Sequence, residues 1–485
     1  MQVLGKRHLR IPRQMRPVYL VTAGSSECRR AFTDKKFTDL CIDSVRMACE
    51  LLGKEYLKVK EYIQGVVCGE FADHASDQLL QEAMVQSVLG LDPMWNLGVK
   101  TGGATGGSSI MTGAMAIASG HSDCVLVVGW EDMGQVPTDM MNQYIAMAAD
   151  VDWETPMGGI YAGYYAPMAR RFWEIIARKS PEFRRAMSEI AVKHRNYGRF
   201  NPFGHGGMKI TVDDVENSSV VADPLRALDC CLMSSGSACC LLCDEQTAYE
   251  LTKDSPLKPL RLYIAGGTHT LRVADRQNME IPLLPHEEPG MYDRLHERFP
   301  GLDCYPGWTD FLAARMAAYY TYGMAGIKNP AEDLDLVELH DAFTISDLQT
   351  YGDIGLRALG DALSYVTSGD FYHTNPHTGK PGALPSNLSG GLIGGMHAVG
   401  ATGIWQIFEV ALQLWGIHGK VHGNPKIWTA FGKEKPDDWQ DLQVVGAKRG
   451  GAVSHAGVGS HVTMCILMDP DSLLIPDTAR KEVAA

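Results

Sequence analysis

The segment Asn387-Leu-Ser-Gly-Gly-Leu-Ile-Gly-Gly-Met-His397-Ala-Val-Gly-Ala-Thr-Gly403 sets one histidine among six glycines, directly before an apolar run, Ile404–Trp415, with helical spacing. Glycine reaches positive φ and carries no Cβ, so such density requires a backbone that something approaches closely. The stretch predicts a loop-to-helix junction with His397 held near a helix N-terminus, a placement suited to catalysis. A glycine-rich helix start whose histidine only satisfies a loop carbonyl is the plainer alternative, and the other segments must decide between them.

A chain of 485 residues is too long for one ordinary core, so two domains or a duplicated fold are expected. With 45% hydrophobic and 21% charged residues the composition is that of a globular protein. No apolar run approaches the roughly 20 residues that span a bilayer, so the reading is a protein without membrane association. Residues 1–16 are basic (Lys6, Arg7, Arg10, Arg13, Arg16) but lack the apolar core of a signal peptide, which predicts a surface extension and a cytoplasmic location. A formal charge of −13 argues against a broad nucleic-acid surface while leaving room for a local basic pocket. The twelve cysteines are scattered or lie inside apolar runs (Cys230, Cys231, Cys239, Cys240, Cys243), so no metal is expected and most should be small buried hydrophobes.

Strand-like runs at Val18–Thr22, Val66–Cys68 and Cys124–Gly129 alternate with helical ones at Phe37–Leu52, Gln78–Leu89 and Gly106–Ser119. A second set follows: Leu260–Ala265, a helix over Thr309–Tyr322, Leu334–Leu339, the helix Ile404–Trp415, then strands at Gln443–Lys448 and His461–Met468. The order predicts two α/β halves, 17–255 and 256–485. A Met-, Tyr- and Trp-rich helical insertion over about 134–222 reads as a lid or binding subdomain.

Val99-Lys-Thr-Gly-Gly103-Ala-Thr-Gly-Gly-Ser-Ser, the small-residue helix after it and Asp123–Met133 resemble the nucleophile loop, buried helix and next strand of the thiolase superfamily. Further landmarks resemble its sterol-carrier-protein-x branch. They are Lys193-His-Arg-Asn196, Asn201-Pro202, Ile210–Val215, Ala222–Cys231, Val337-Glu-Leu-His340-Asp341-Ala-Phe343, and Asn387–Gly403 with Ala398 where proline is usual. The resemblance runs in order from about Pro17 to Asp469. It implies a duplicated five-layer αβαβα thiolase fold with an inserted helical loop domain, a homodimer, and coenzyme A as thioester substrate or product. It also implies, for some relatives, a small OB-fold/zinc-ribbon partner subunit. Lys193, Arg195 and Lys209 fall where the family's loop domain meets the cofactor's phosphates and pantetheine, with Gly394 and Gly395 in the glycine loop; a solvated basic face is the rival reading.

The chain departs from the family at its centre. Gly103 occupies the position of the nucleophilic cysteine, and no cysteine lies between Cys68 and Cys124, so a shifted register does not restore it. A glycine has no side chain to be acylated. Ser108 and Ser109 are nearby hydroxyls, weak nucleophiles unless activated. The second family cysteine is also missing: Gly450–Gly459, read as a glycine-rich loop before the last strand, offers Ser454 or His455 as acid/base. His340 and His397 remain, and oxyanion stabilisation needs no cysteine.

Three readings stay open. One is a carbon–carbon lyase of retro-aldol or retro-Claisen type, with the enolate held by His340 and His397 and a tyrosine base among Tyr292, Tyr319, Tyr320, Tyr322 and Tyr351. The second is a β-ketoacyl-CoA thiolase or acyltransferase with direct transfer to CoA or dependence on a partner. The third is a non-catalytic acyl-CoA-binding subunit. Trp153, Tyr161, Tyr164, Tyr165 and Trp173 are expected either to line an acyl pocket or to form the subdomain core.

Overall fold

The computed structural model describes residues 9–276, 282–301 and 307–475, so Lys6 and Arg7 of the basic extension lie outside the described residues. Arg16 is no free surface cation: its guanidinium bonds Asp123 Oδ1 at 2.9 Å and Ser122 O at 2.7 Å.

Among the described residues eleven strands carry the frame: β1 Tyr19–Ser25, β2 Gly65–Gly69, β3 Trp95–Val99, β4 Cys124–Asp132, the hairpin β5 Val220–Ala222 and β6 Leu225–Arg226, β7 Ser235–Cys243, β8 Leu260–Thr268, β9 Leu336–Glu338, β10 Arg449–Ala456 and β11 His461–Met468. All but the hairpin join in the order β3-β2-β4-β7-β1-β8-β11-β10-β9. The duplication expected from element order is visible in the pairing. On one side β2 runs parallel to β4, which is antiparallel to β7, which is antiparallel to β1. On the other, β9 is parallel to β10, β10 antiparallel to β11, and β11 antiparallel to β8. β3, parallel to β2, has as its counterpart a single parallel bridge from Ser386 to Val337. The halves meet through two register pairs, Tyr19–Arg261 and Leu20–Leu260.

Alternation along the strands produces the layers. In β4, Val125 and Val127 face a core shared with Ile110, Ile117, Ile404 and Phe408, while Leu126 and Val128 face α1, Phe37–Leu52. In β11, Cys465 and Leu467 join the same central core, and Val462, Met464 and Ile466 face the helix Leu312–Ala325. The result is helix, half-sheet, helices, half-sheet, helix, the two halves of the one sheet being joined at β1 and β8. The central layer is α2, Thr105–Ala118, against α5, Val399–Leu414, and every residue of α5 is buried. Between α2 and α5 in sequence lie α3, Tyr161–Ile175, and α4, Glu182–Gly198, both in the inserted region. A short helix, α6, His418–His422, follows α5. Among the described residues, no helix is long and apolar enough to cross a membrane.

Two strand expectations need correction. Gln443–Lys448 is not a strand, because side chains take its backbone donors: Val444 N–H donates to Gln413 Oε1 at 2.7 Å and Lys448 N–H to Asp335 Oδ2 at 2.8 Å. The glycine-rich stretch after it is strand β10, not a loop. A Cβ on Gly450 would stand 2.6 Å from Val410 Cγ1, so glycine lets this strand lie against α5.

Candidate active site

The glycines of both halves serve one helix crossing. A Cβ on Gly403 would reach 2.3 Å from Gly107 N, and one on Gly106 would reach 2.6 Å from Gly403 N. A Cβ on Gly400 would lie 2.3 Å from Trp130 O. The close approach implied by the Asn387–Gly403 sequence is therefore met by the protein's own backbone, which brings the N-termini of α2 and α5 together. Gly103 sits in the short turn Gly102–Ala104 that opens α2. A Cβ there would be 3.5 Å from His340 Cε1 and only 2.4 Å from His455 O.

Around this point three histidines converge. His340 and His397 rings stand perpendicular with centroids 5.0 Å apart, and His340 and His455 are 4.1 Å apart. His340 follows β9, and its segment is held by Asn387, whose φ of 45° turns the side chain back. Asn387 Oδ1 accepts from Leu339 N at 2.5 Å and its Nδ2 donates to Leu339 O at 3.3 Å. Asp341 does not satisfy His340. Its carboxylate accepts from Leu392 N at 2.6 Å and Ile393 N at 3.2 Å and lies 2.7 Å from His194 Nδ1, which fixes the turn leading to His397. Those contacts hold Asp341 below the usual carboxylate range despite its burial.

His397 is fixed from three directions. Its N–H donates to Ser234 Oγ at 2.9 Å, and Gly400 N, in the first turn of α5, donates to Glu131 Oε2 at 3.0 Å. Its Nδ1 lies 3.0 Å from Thr402 Oγ1, which is also 3.0 Å from Ala398 O. Thr402 has one hydroxyl proton: donated to Ala398 O, it makes Oγ1 the acceptor of His397 Nδ1–H, and only when it turns to Nδ1 does the His397 N–H sit on Nε2. Burial pushes His397 down to about 4 and His455 to about 3, and drives His340 well below its ordinary value, so all three are neutral at pH 7.

His455 carries the element that sequence reasoning did not assign a role. The Tyr165 hydroxyl, on α3, lies 2.7 Å from His455 Nε2, and its ring stacks on Phe343 at 4.5 Å. Desolvation raises the phenol well above 10, so it is a neutral acid at rest. Tyr165 was expected only as pocket lining or core. The tyrosines expected as base are engaged elsewhere: Tyr322 donates to Ile354 O, Tyr319 to Leu9 O and Tyr351 to Asp347 Oδ2, Tyr320 packs on Tyr319, and Tyr292 lies beneath Arg315.

Residues 18–246 match the thiolase N-terminal domain and 301–426 the thiolase C-terminal domain-like family. An acetyl-CoA acetyltransferase of Methanothermobacter thermautotrophicus is 32% identical over 80% of this chain and 88% of its own. The chain belongs to the thiolase family. Sterol carrier protein 2 of Gallus gallus is 26% identical over 84% of the chain and 67% of its own length. Among solved structures this thiolase shares its fold with the Ltp2-ChsH2(DUF35) aldolase, at a TM-score of 0.68 and 20% identity over 94% of this chain and 98% of the other.

Within this thiolase the expected cofactor contacts do not group at the histidines. Lys193 is buried and donates to Ser386 O, with desolvation lowering it to about 7. Arg195 is buried and bonds Gly206 O at 2.9 Å and Cys230 O at 2.7 Å. Neither offers its charge to a phosphate at the surface. Lys209 is exposed and pairs with Asp438 at 3.3 Å. A Cβ on Gly394 would meet His194 O at 1.9 Å and one on Gly395 would meet Trp405 at 2.5 Å, so both glycines serve packing. In the aromatic set, Tyr164 is buried, Trp173 donates to Ser180 O, and Trp153 is exposed beneath Arg272.

Ser108 Oγ lies 3.1 Å from His461 Nε2, and Ser109 back-bonds to Thr105 O. Ser108 stands five residues beyond Gly103, about 140° around and ~7.5 Å along a helix, so it does not replace a thiol at Gly103. Ser454 donates to Gly103 O at 3.2 Å. The cysteines give no sign of a metal site, but the fold brings His418-x-x-x-His422 beside Glu409.

Proposed function

We propose that this thiolase makes or breaks a carbon–carbon bond next to the thioester of an acyl-CoA without a cysteine acyl-enzyme. The observation that carries the reading is Gly103: the point beside His340 where an acylated side chain would stand holds a hydrogen atom, while the histidine group around it is complete. In the retro-aldol direction, the β-hydroxyl proton of a β-hydroxyacyl-CoA passes to Tyr165 as Tyr165 passes its own to His455. The Cα–Cβ bond breaks, and its electron pair enters the thioester as an enolate whose oxygen accepts hydrogen bonds from His340 and His397. Cβ leaves as a ketone or aldehyde, and the proton taken up by His455 is returned to Cα, which gives the shortened acyl-CoA and restores the neutral site. The neutral histidines support this, since each has one N–H to offer an oxyanion in a water-poor site. A second copy of the chain and a small OB-fold/zinc-ribbon subunit are proposed as partners; the second component named in the Ltp2-ChsH2(DUF35) aldolase supports a partner subunit.

A second reading, acyl transfer directly to CoA, is favoured by the activity named for the 32%-identical relative. The two separate in one experiment. Purified protein, alone and with any co-purifying subunit, is incubated with β-hydroxyacyl- and β-ketoacyl-CoA panels with and without free CoA, and products are followed by mass spectrometry. Ketone or aldehyde release from a hydroxy substrate without CoA is expected. Cleavage of keto substrates alone, and only with CoA, would establish the second reading; binding without turnover would leave the non-catalytic subunit.

A further inference from the structure

The helix that delivers His397 carries at its other end a second cluster that the reaction does not use. Glu409 lies ten residues beyond Val399 on α5, about 15 Å along the axis. It faces His418 and His422, one turn apart on α6. All three side chains are buried, with relative exposures of 1%, 1% and 2%. Glu409 Oε2 is 3.1 Å from His422 Nε2 and 3.8 Å from His418 Nε2, and the three ligand atoms lie within 4.8 Å of one another. None of these three atoms makes a hydrogen bond of acceptable geometry to any described residue. They converge without satisfying one another.

A buried carboxylate and two imidazoles left in that state are costly, because each forgoes the hydrogen bonds that water gave it. A cation in their midst removes the cost. Ligands about 2.0–2.1 Å from a tetrahedral zinc stand ~3.3 Å apart, close to the two spacings seen here. The donor set, two imidazole nitrogens and one carboxylate oxygen, suits zinc and its first-row neighbours rather than calcium or magnesium. The remaining oxygen of the carboxylate is already oriented: Asn201 Nδ2 donates to Glu409 Oε1 at 2.9 Å and also to Ser389 O at 3.0 Å, in the glycine loop before His397. Such an outer contact is how proteins aim a metal ligand.

We propose that Glu409, His418 and His422 bind one divalent transition-metal ion of the zinc class, which pins α6 and the far end of α5 and steadies the loop that holds His397. The site is structural, since it lies far along the helix from Gly103. The test uses the full chain purified without a metal-affinity tag. Metal per chain is measured by plasma mass spectrometry, before and after incubation with Zn²⁺ and desalting, and thermal melting is followed with and without a chelator. The expected result is about one zinc per chain, loss of that metal and a lower Tm with chelator, and visible absorption typical of four-coordinate cobalt after exchange with Co²⁺. Metal below about a tenth of an equivalent after loading, with a Tm indifferent to chelator, would overturn the proposal. So would stoichiometric metal retained by folded His418→Gln/His422→Gln. If that double variant fails to fold, Glu409→Gln, which keeps the Asn201 contact available, is expected to lower metal content, and the wild-type metal measurement stands on its own.

Discussion

The two halves of this thiolase furnish their parts of the candidate site differently. In the N-terminal half, the turn that opens α2 keeps its place at the helix crossing but presents Gly103, with no side chain at all. In the C-terminal half, His340 and His397 are held by Asn387, Ser234, Thr402 and the Asp341-anchored turn, and His455 is joined by Tyr165. On the proposed reading, the group that would accept an acyl chain is missing, the set that stabilises negative charge on a thioester oxygen is present, and the chemistry passes through an enolate but not an acyl-enzyme.

The most direct way to break the comparison is to remove the retained side. His340→Ala and His397→Ala are each expected to lower kcat by roughly 10²–10³, the scale of one oxyanion donor, in steady-state assays on the best acyl-CoA found. A loss below about tenfold would take these histidines out of the chemistry. Tyr165→Phe is expected to cost about 10² in kcat with KM little changed, because it removes the proton route and leaves the ring stacked on Phe343. Equal activity would move the base elsewhere.

Gly103→Cys tests the vacant side. Its Cβ would be 2.4 Å from His455 O, so the turn must shift, and a stability loss of about 1–3 kcal/mol is expected in chemical denaturation with no CoA-dependent thiolysis gained. Efficient thiolysis by this variant would mean that only the sulfur was missing. Thr402→Val should slow turnover about tenfold, the rate equivalent of one ordinary hydrogen bond, and leave metal content unchanged. The smallest effect concerns pH. Because burial lowers His397 to about 4 and His455 to about 3, both keep their neutral form as pH falls, and kcat/KM should stay flat from pH 8 to about 5 on their account. An acid limb near 6.5 that disappears in the His397 variant would contradict the buried, neutral site.

Much of the frame was legible because period and length carry it. Phe37–Leu52 forms the helix over those residues, and the expected 106–119 helix is Thr105–Ala118. His340, His397, His455 and Gly103 were legible as a group because distinctive motifs mark each. Tyr165 was not: it lies in a helix among several aromatic residues, and only tertiary folding separates the one that touches His455. The glycines were legible as sites of close approach, but no local pattern says whether ligand or backbone arrives, and here Gly103, Gly106 and Gly403 face protein. Lys193 and Arg195 misled for a related reason, since charge in a sequence suggests solvent and both are buried against carbonyls. Glu409 was hidden inside an apolar helix, nine residues before His418.

The central claim is that carbon–carbon cleavage proceeds without acylation of the chain. Rapid quenching of the enzyme with a turning-over β-hydroxyacyl-CoA, followed by intact-protein mass measurement during the first turnovers, tests it directly. The account predicts a carbonyl product formed at the rate of turnover with the protein at its unmodified mass throughout. A transient increase equal to the acyl group, accumulating and decaying at rates that support turnover, would contradict it.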